Sequence, residues 1–143
     1  MMKIFIGSDH RGFDLKAAIQ QEMREYSWED VGCCSIERTD YPIYAAAVCE
    51  KLAAGDGQDR GVLLCSNGVG MSIAANRHKG VYAALCWNET IAASARADDN
   101  ANILVLPASV LNVQEATTLV RVFLTTPFKE DPVYAHRLCM IDR

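Results

Sequence analysis

A cysteine stands where a short apolar run ends and a pair of glycines begins. In the stretch GVLLCSNGVG, residues 61–70, Cys65 closes the run and Gly68-Val69-Gly70 follows. If a strand ends at Cys65 and a helix begins near the glycines, backbone N–H groups converge on one concavity that favours an anion. The same groups would stabilise a thiolate and lower the pKa of Cys65 toward neutrality. The spacing alone equally allows an inert cysteine that fills the end of a buried strand.

A second polar run follows the first apolar run of the chain. The stretch KIFIG leads into Ser8, Asp9, His10 and Arg11. Capping of a helix that begins near Phe13 would explain one polar residue of this run. It would not explain all four, so the pattern favours a functional role for Asp9 and His10.

A third charged segment, SARADDNAN, spans residues 94–102 and contains Arg96, Asp98, Asp99 and Asn100. One interpretation is a solvated helix end. The other is a segment that precedes the last strand and folds back toward a site.

The motifs for common cofactors and metals are incomplete. Gly68-Val69-Gly70 lacks the third glycine of a dinucleotide-binding loop, and neither Gly12 nor Gly70 precedes the Lys and Ser/Thr of a phosphate-binding P-loop. The six cysteines contain no C-x-x-C and the three histidines no H-x-x-x-H. We therefore expect no cofactor and no metal, and reduced thiols rather than a disulfide framework.

Composition restricts the class of protein. The 143 residues are 50% hydrophobic and 22% charged with a formal net charge of −4, which is typical of one globular domain spanning residues 1–143. There is no basic footprint for nucleic acid, no signal-peptide pattern and no apolar run long enough for a bilayer. These features predict a cytoplasmic protein that binds neither nucleic acid nor membrane.

The apolar runs alternate with helical patterns. KIFIG, WEDVG, GVLLC, GVYAALC and NILVLP read as strands, four of them buried on both faces. Apolar residues three to four apart predict helices between them, Asn112 is a candidate N-cap, and a last helix is expected from about Pro132 to Met140. This order predicts a five-stranded parallel α/β sheet that binds ligands beyond the carboxyl ends of its strands. The segment 33–42 is the expected mobile loop.

Four motifs together resemble a known family. SDHRGFDLK, ERTDYP, CSNGVGMSIAANR and ARADDNANIL are similar in order and spacing to the motifs of the type B ribose-5-phosphate isomerases, whose relatives include galactose-6-phosphate isomerase subunits. The resemblance implies a single-domain, three-layer α/β/α Rossmann-like fold. It also implies a homodimer or dimer of dimers with shared active sites, and metal-independent interconversion of aldose and ketose phosphates.

The resemblance also implies roles for particular residues. Cys65 would be the general base that moves a proton between C1 and C2 through a cis-enediolate, and the loop Gly68 to Gly70 would hold the oxyanion. The other implied positions are catalytic Asn67, Asp98 and Asp99, and substrate-binding Asp9, His10, Ser66, Val69, Asn100 and Arg137.

The chain departs from the family pattern at several of these positions. The family loop C-G-T-G reads Cys65-Ser66-Asn67-Gly68 here, and the H-N pair that assists ring opening aligns with Asp98 and Asp99. Two phosphate-binding arginines align with Ser109 and Val133, and a histidine aligns with Tyr134, while Arg137 is retained. Weaker phosphate binding follows unless Arg11, His136 or Arg96 substitutes.

The resemblance makes ribose 5-phosphate and ribulose 5-phosphate the expected substrate pair. The altered arginine positions motivate two alternatives: an isomerase of another small sugar or sugar phosphate, and a non-catalytic subunit that needs a paralogue. Retention of Cys65 argues against the second, since a binding subunit needs no base. An NAD-binding module is more distant because the third glycine is absent.

Overall fold

The structure, a computed structural model, describes residues 1–142. Within that range the chain forms five strands and six helices. The strands are β1 (Lys3–Ser8), β2 (Ser27–Asp30), β3 (Arg60–Cys65), β4 (Ala83–Leu85) and β5 (Ile103–Pro107). The helices are α1 (Phe13–Glu22), α2 (Tyr41–Ala53), α3 (Val69–Asn76), α4 (Glu89–Ala97), α5 (Val113–Thr125) and α6 (Pro132–Ile141).

The five strands pair in parallel, in the order β2-β1-β3-β5-β4. Their carboxyl ends therefore meet at one edge, here called the carboxyl edge, and their amino ends at the opposite amino edge. In the register of β3 with β5, Gly61 lies beside Ile103 and Cys65 beside Pro107. The predicted parallel α/β sheet is confirmed.

Both faces of the sheet are buried because its side chains alternate between two apolar cores. Ile4 and Ile6 pack with α1, α4 and α5, whereas Phe5 and Leu63 pack with α2 and α3. This double burial explains why the sequences of the inner strands β1, β3 and β5 have continuous apolar runs rather than alternating ones. The three-layer arrangement matches the predicted α/β/α class.

The sequence correctly predicted where helices α5 and α6 begin. The Asn112 side chain accepts from the Glu115 N–H at 2.8 Å, and the Glu115 carboxylate accepts from the Asn112 N–H at 3.1 Å. This reciprocal capping box confirms the predicted N-cap of α5. The last helix also begins at Pro132 as expected. In the part of the chain that the structure describes, no helix is long and apolar enough to cross a membrane.

A buried lysine secures the loop between β2 and α2. Lys16 is 1% exposed, and its ammonium pairs with Asp30 at 2.7 Å and donates to the Cys33 carbonyl at 2.7 Å. Asp30 also accepts from the Gly32 N–H at 2.8 Å. Burial of a lysine is costly unless it is paired, so these contacts hold the first residues of the segment that the sequence marked as a mobile loop.

The edge strand β4 is covered on its open side by one side chain of α3. The Asn76 amide donates to the Ala83 carbonyl at 2.9 Å and accepts from the Ala83 N–H at 2.8 Å. Asn76 therefore satisfies both polar backbone groups of one residue of the edge strand.

Candidate active site

Cys65 is the last residue of β3 and lies at the carboxyl edge. Its side chain is 5% exposed and belongs to the apolar core between the sheet and helices α2 and α3. The thiol is therefore packed as a small apolar group and also stands at the start of the loop that leads into α3. Its burial and its position fit both interpretations left by the sequence.

Backbone N–H groups from the following loop converge on the thiol. Those of Met71, Gly68 and Asn67 favour the thiolate form of Cys65, in that order of decreasing effect. The turn depends on Gly68, which has φ +78°, and a Cβ there would stand 2.4 Å from Leu85 Cδ1. Glycine meets both demands because it has no side chain. The concavity predicted from the glycine spacing thus has a donor set suited to a sulfur anion.

Burial nevertheless raises the pKa of the Cys65 thiol above its ordinary value. The N–H groups of Met71, Gly68 and Asn67 act in the opposite direction, and the Asp9 carboxylate adds to the rise. The expectation that the helix N-terminus would lower the pKa toward neutrality is therefore wrong. The helix favours the thiolate as expected, but removal of water from the sulfur outweighs that effect.

The side chain of Asn67 serves the loop itself. Its Oδ1 accepts from the Val69 N–H at 3.0 Å, which closes a turn at the start of α3. Asn67 therefore has a structural role that its predicted catalytic role did not include. Its amide NH₂ is the part of the side chain that can donate to a substrate oxygen.

Sheet pairing continues past the ends of β3 and β5 into this loop. The Ala108 N–H donates to the Cys65 carbonyl at 2.9 Å. Ser109 then donates twice to the Ser66 carbonyl, from its N–H at 2.8 Å and from its hydroxyl at 2.6 Å. Ser109 thus lies at the carboxyl edge and is bonded to the loop that carries Cys65.

Asp9 is also both structural and close to the thiol. It is 6% exposed, and its Oδ1 accepts from the N–H groups of Arg11 at 3.0 Å and Gly12 at 3.2 Å. The carboxylate closes the turn before α1, but it does not cap the helix: the N-cap is Gly12, which has no side chain to cap the first turn. The negative charge of the same group also raises the pKa of Cys65.

The ring of His10 is oriented by the loop between β2 and α2. His10 Nδ1 accepts from the Thr39 N–H at 3.2 Å, and the Thr39 hydroxyl is 2.8 Å from the Tyr44 hydroxyl. Because Nδ1 is an acceptor, the proton of the neutral ring is on Nε2. His10 is thus arranged to offer an Nε2–H donor at the carboxyl edge.

Tyr41 also lies at this edge, and the candidate site residues predicted from the sequence do not include it. A Cβ on Gly70 would stand 2.6 Å from Tyr41 Cζ and 2.9 Å from its hydroxyl oxygen. The tyrosine ring therefore lies against the first turn of α3, beside the loop of Cys65. Its signal was present in the motif ERTDYP, but spacing could not reveal that α2 begins next to α3.

The structure places Asp98, Asp99 and Asn100 away from Cys65 within one chain. They precede β5 at the amino edge, where Ile103 pairs with Gly61. Cys65 lies four residues beyond Gly61 along β3, which is about 13 Å at roughly 3.3 Å per residue. Within one chain the segment therefore does not reach Cys65, because a helix that precedes a parallel strand ends at the amino edge.

Contacts at the amino edge occupy several of the predicted residues. Asp98 pairs with Lys129 at 2.9 Å, and the Asn100 Oδ1 accepts from Arg96 at 3.0 Å. Arg96 is 4% exposed and donates also to the Ala101 carbonyl at 2.6 Å, so it is not free to bind phosphate. Arg137 lies on α6, with its guanidinium 5.5 Å from the centre of the Tyr134 ring.

Within residues 1–142, no group of three or more His, Cys, Asp or Glu side chains could hold a metal ion.

The chain is similar to known proteins over nearly its whole length. The sequence model of the ribose/galactose isomerase family matches residues 4–141. Ribose-5-phosphate isomerase B of Escherichia coli (strain K12) is 38% identical over 131 residues, which are 90% of this chain and 87% of that protein.

Two solved structures extend the comparison. A ribose 5-phosphate isomerase from Thermotoga maritima is 42% identical with a TM-score of 0.94, covering 99% of this chain and 97% of that one. Ribose-5-phosphate isomerase B from Mycoplasma genitalium, solved with bound ribulose-5-phosphate, is 36% identical with a TM-score of 0.93, covering 99% and 95%.

Proposed function

Because this chain belongs to the ribose/galactose isomerase family, we propose that it interconverts ribose 5-phosphate and ribulose 5-phosphate with Cys65 as general base. The observation that carries this proposal is the convergence of three backbone N–H groups on a buried thiol. An inert core cysteine needs no such donors, whereas a thiolate base does. The names of the similar proteins support the substrate pair.

The reaction moves one proton between neighbouring carbons. The Cys65 thiolate removes the C2 proton of the open-chain aldose, and the electron pair shifts toward the C1 oxygen to give a cis-enediolate. The thiol then returns the proton to C1, the hydroxyl proton of O2 passes to the C1 oxygen, and the carbonyl forms at C2. The first N–H groups of a helix have no acceptor within that helix, so the Gly70 N–H is suited to stabilise the developing oxyanion.

The residues proposed to assist ring opening and to bind phosphate do not lie at the carboxyl edge of the chain that holds Cys65. Asp98, Asp99 and Arg137 can reach the substrate if a second copy brings its amino edge to this chain's carboxyl edge. The adjoining helices α2 and α3 expose apolar side chains that a second copy of the chain can bury. These side chains are Tyr41, Ile43, Val69 and Ile73. The proposed enzyme is therefore at least a homodimer with shared active sites.

The positions expected to bind phosphate support a second substrate class. Ser109 is bonded to the Ser66 carbonyl, Arg96 is buried, and Val133 is exposed on α6. A phosphate dianion is normally held by several charge-assisted bonds, and these positions supply none. A small sugar with another phosphate position, or with none, is the alternative substrate.

The proposal is tested by turnover of ribose 5-phosphate in excess EDTA. We expect conversion to ribulose 5-phosphate, followed by NMR, and a lower kcat/KM for ribose, since the unphosphorylated sugar lacks the anion that positions it. Preference for ribose, or for a hexose phosphate, would instead support the alternative substrate class. A folded protein inactive with all of these sugars would support the non-catalytic subunit.

The direction of the Cys65 pKa shift predicts the pH dependence of the reaction. Catalysis requires the thiolate, and burial raises the pKa of that thiol. The ionised fraction, and with it kcat, should increase from neutral pH into the alkaline range. A thiol of higher pKa has a smaller ionised fraction, but its thiolate is a stronger base. A kcat already at its plateau at pH 7 would contradict the assignment, as measured by initial rates across pH 6 to 10 on protein shown by circular dichroism to remain folded.

A further inference from the structure

The Ser66 carbonyl receives two hydrogen bonds from one residue. The Ser109 N–H lies 2.8 Å from it and the Ser109 hydroxyl 2.6 Å. A carbonyl oxygen has two lone pairs, so Ser109 occupies both. The donors lie just after β5, whose pairing with β3 fixes their position.

Fixing this carbonyl also fixes an N–H group on the other side of the same peptide unit. The Ser66 C=O and the Asn67 N–H belong to one planar trans peptide, so they point in opposite directions and turn together. The Asn67 N–H is one of the three backbone groups that favour the Cys65 thiolate. A peptide held toward Ser109 on its carbonyl side is therefore held toward the thiol on its amide side.

We propose that Ser109 is a positioning residue of the Cys65 base, acting through the peptide that joins Ser66 to Asn67. Its side chain supplies the shorter of the two bonds, and its backbone supplies the other. Residue 109 thus contributes to the donor set around the sulfur without touching substrate. The inference deepens the proposed function, since it assumes that Cys65 has to ionise in catalysis.

Apart from the three N–H groups, few groups near the sulfur can change the pKa of Cys65. The charged group that acts on it is the Asp9 carboxylate, at the end of β1. Cys65 belongs to an apolar core with side chains of α2, α3 and β5, among them Val48, Met71 and Val105. A change at residue 109 leaves all of these in place.

The test compares Ser109→Val with Ser109→Thr, because these side chains have the same branched shape and differ in the hydroxyl. The ionisation of Cys65 is followed by NMR of protein labelled with ¹³C at the cysteine β-carbon, the Cys65 signal being assigned by its loss in Cys65→Ala. We expect the valine variant to titrate at a pH higher by roughly half to one unit, the range of one neutral hydrogen bond. Threonine should restore the native titration.

The kinetics should follow the titration. At neutral pH, kcat should fall roughly threefold to tenfold in Ser109→Val, with a smaller change in KM, and remain near native in Ser109→Thr. The matched control is Ser94→Ala, which removes a hydroxyl that donates to the Ile91 carbonyl within α4. It should leave the Cys65 titration unchanged.

Equal titration of the valine and threonine variants would overturn the proposal. The titration needs no substrate, so the two proposals fail separately. If the native protein turned over no sugar but the valine variant still shifted the Cys65 titration, the positioning role would stand and the proposed function would not.

Discussion

Replacement of Cys65 by alanine is expected to lower kcat for ribose 5-phosphate by about 10²- to 10⁴-fold, the range assigned to a positioned general base. The side chain loses only its sulfur, and it lies at a strand end rather than in mid-strand. The stability cost should be about 1 kcal/mol, close to that of one buried methylene. Initial rates and thermal unfolding measured on the same preparation separate the two effects.

Cys49 provides the matched control for this experiment. It is a buried cysteine of α2 in the same apolar core, and its thiol donates to the Ala75 carbonyl. Burial raises its pKa to about 11, and no backbone N–H group acts against that rise. Cys49→Ala should therefore lose some stability and keep its kcat. If both variants lost activity equally, or if Cys65→Ala remained active, Cys65 would have no place in the mechanism.

Two inactive variants should restore activity when they share a dimer. One is Cys65→Ala, damaged at the carboxyl edge, and the other is the double variant Asp98→Asn with Asp99→Asn, damaged at the amino edge. In a mixed dimer with two-fold symmetry, one shared site carries both lesions and the other carries none. We therefore expect about half of native activity from mixed dimers purified through two different affinity tags after co-expression, and about a quarter from the randomly paired mixture before purification.

The controls of this experiment test its geometry. Sedimentation should first show that the protein is at least a dimer at micromolar concentration; a clean monomer would contradict the shared site. Mixing Cys65→Ala with Cys65→Ser should restore nothing, because every site then lacks the thiol. A purified mixed dimer of the two edge variants that stays inactive would exclude contribution of Asp98 and Asp99 from the second subunit.

The sequence predicted the sheet because each of its signals is local. Continuous apolar runs marked strands buried on both faces, and Asn112 with Glu115 marked the start of α5 by a reciprocal hydrogen bond. Predictions that depended on distant parts of the chain were less successful. The pKa of Cys65 depends on how α2 and α3 exclude water from the sulfur, and spacing carries no measure of that burial.

The same limit applies to the position of the acidic segment. Asp98 and Asp99 precede a strand, whereas Cys65 ends one, and in a parallel sheet these are opposite edges. That conclusion was available from the sequence once the strands were known to be parallel. The contacts of Asn67 and Ser109 were not, because each is a hydrogen bond whose partner is selected by the three-dimensional turn.

The amide of Asn76 has a consequence for the protein at high concentration. An open edge strand presents unpaired N–H and C=O groups on which another chain can add a strand, the first step toward aggregation. At Ala83 both groups are already bonded to Asn76. An incoming strand would have to displace that side chain before it could pair with β4 at Ala83, so Asn76 protects this edge of the sheet against polymerisation.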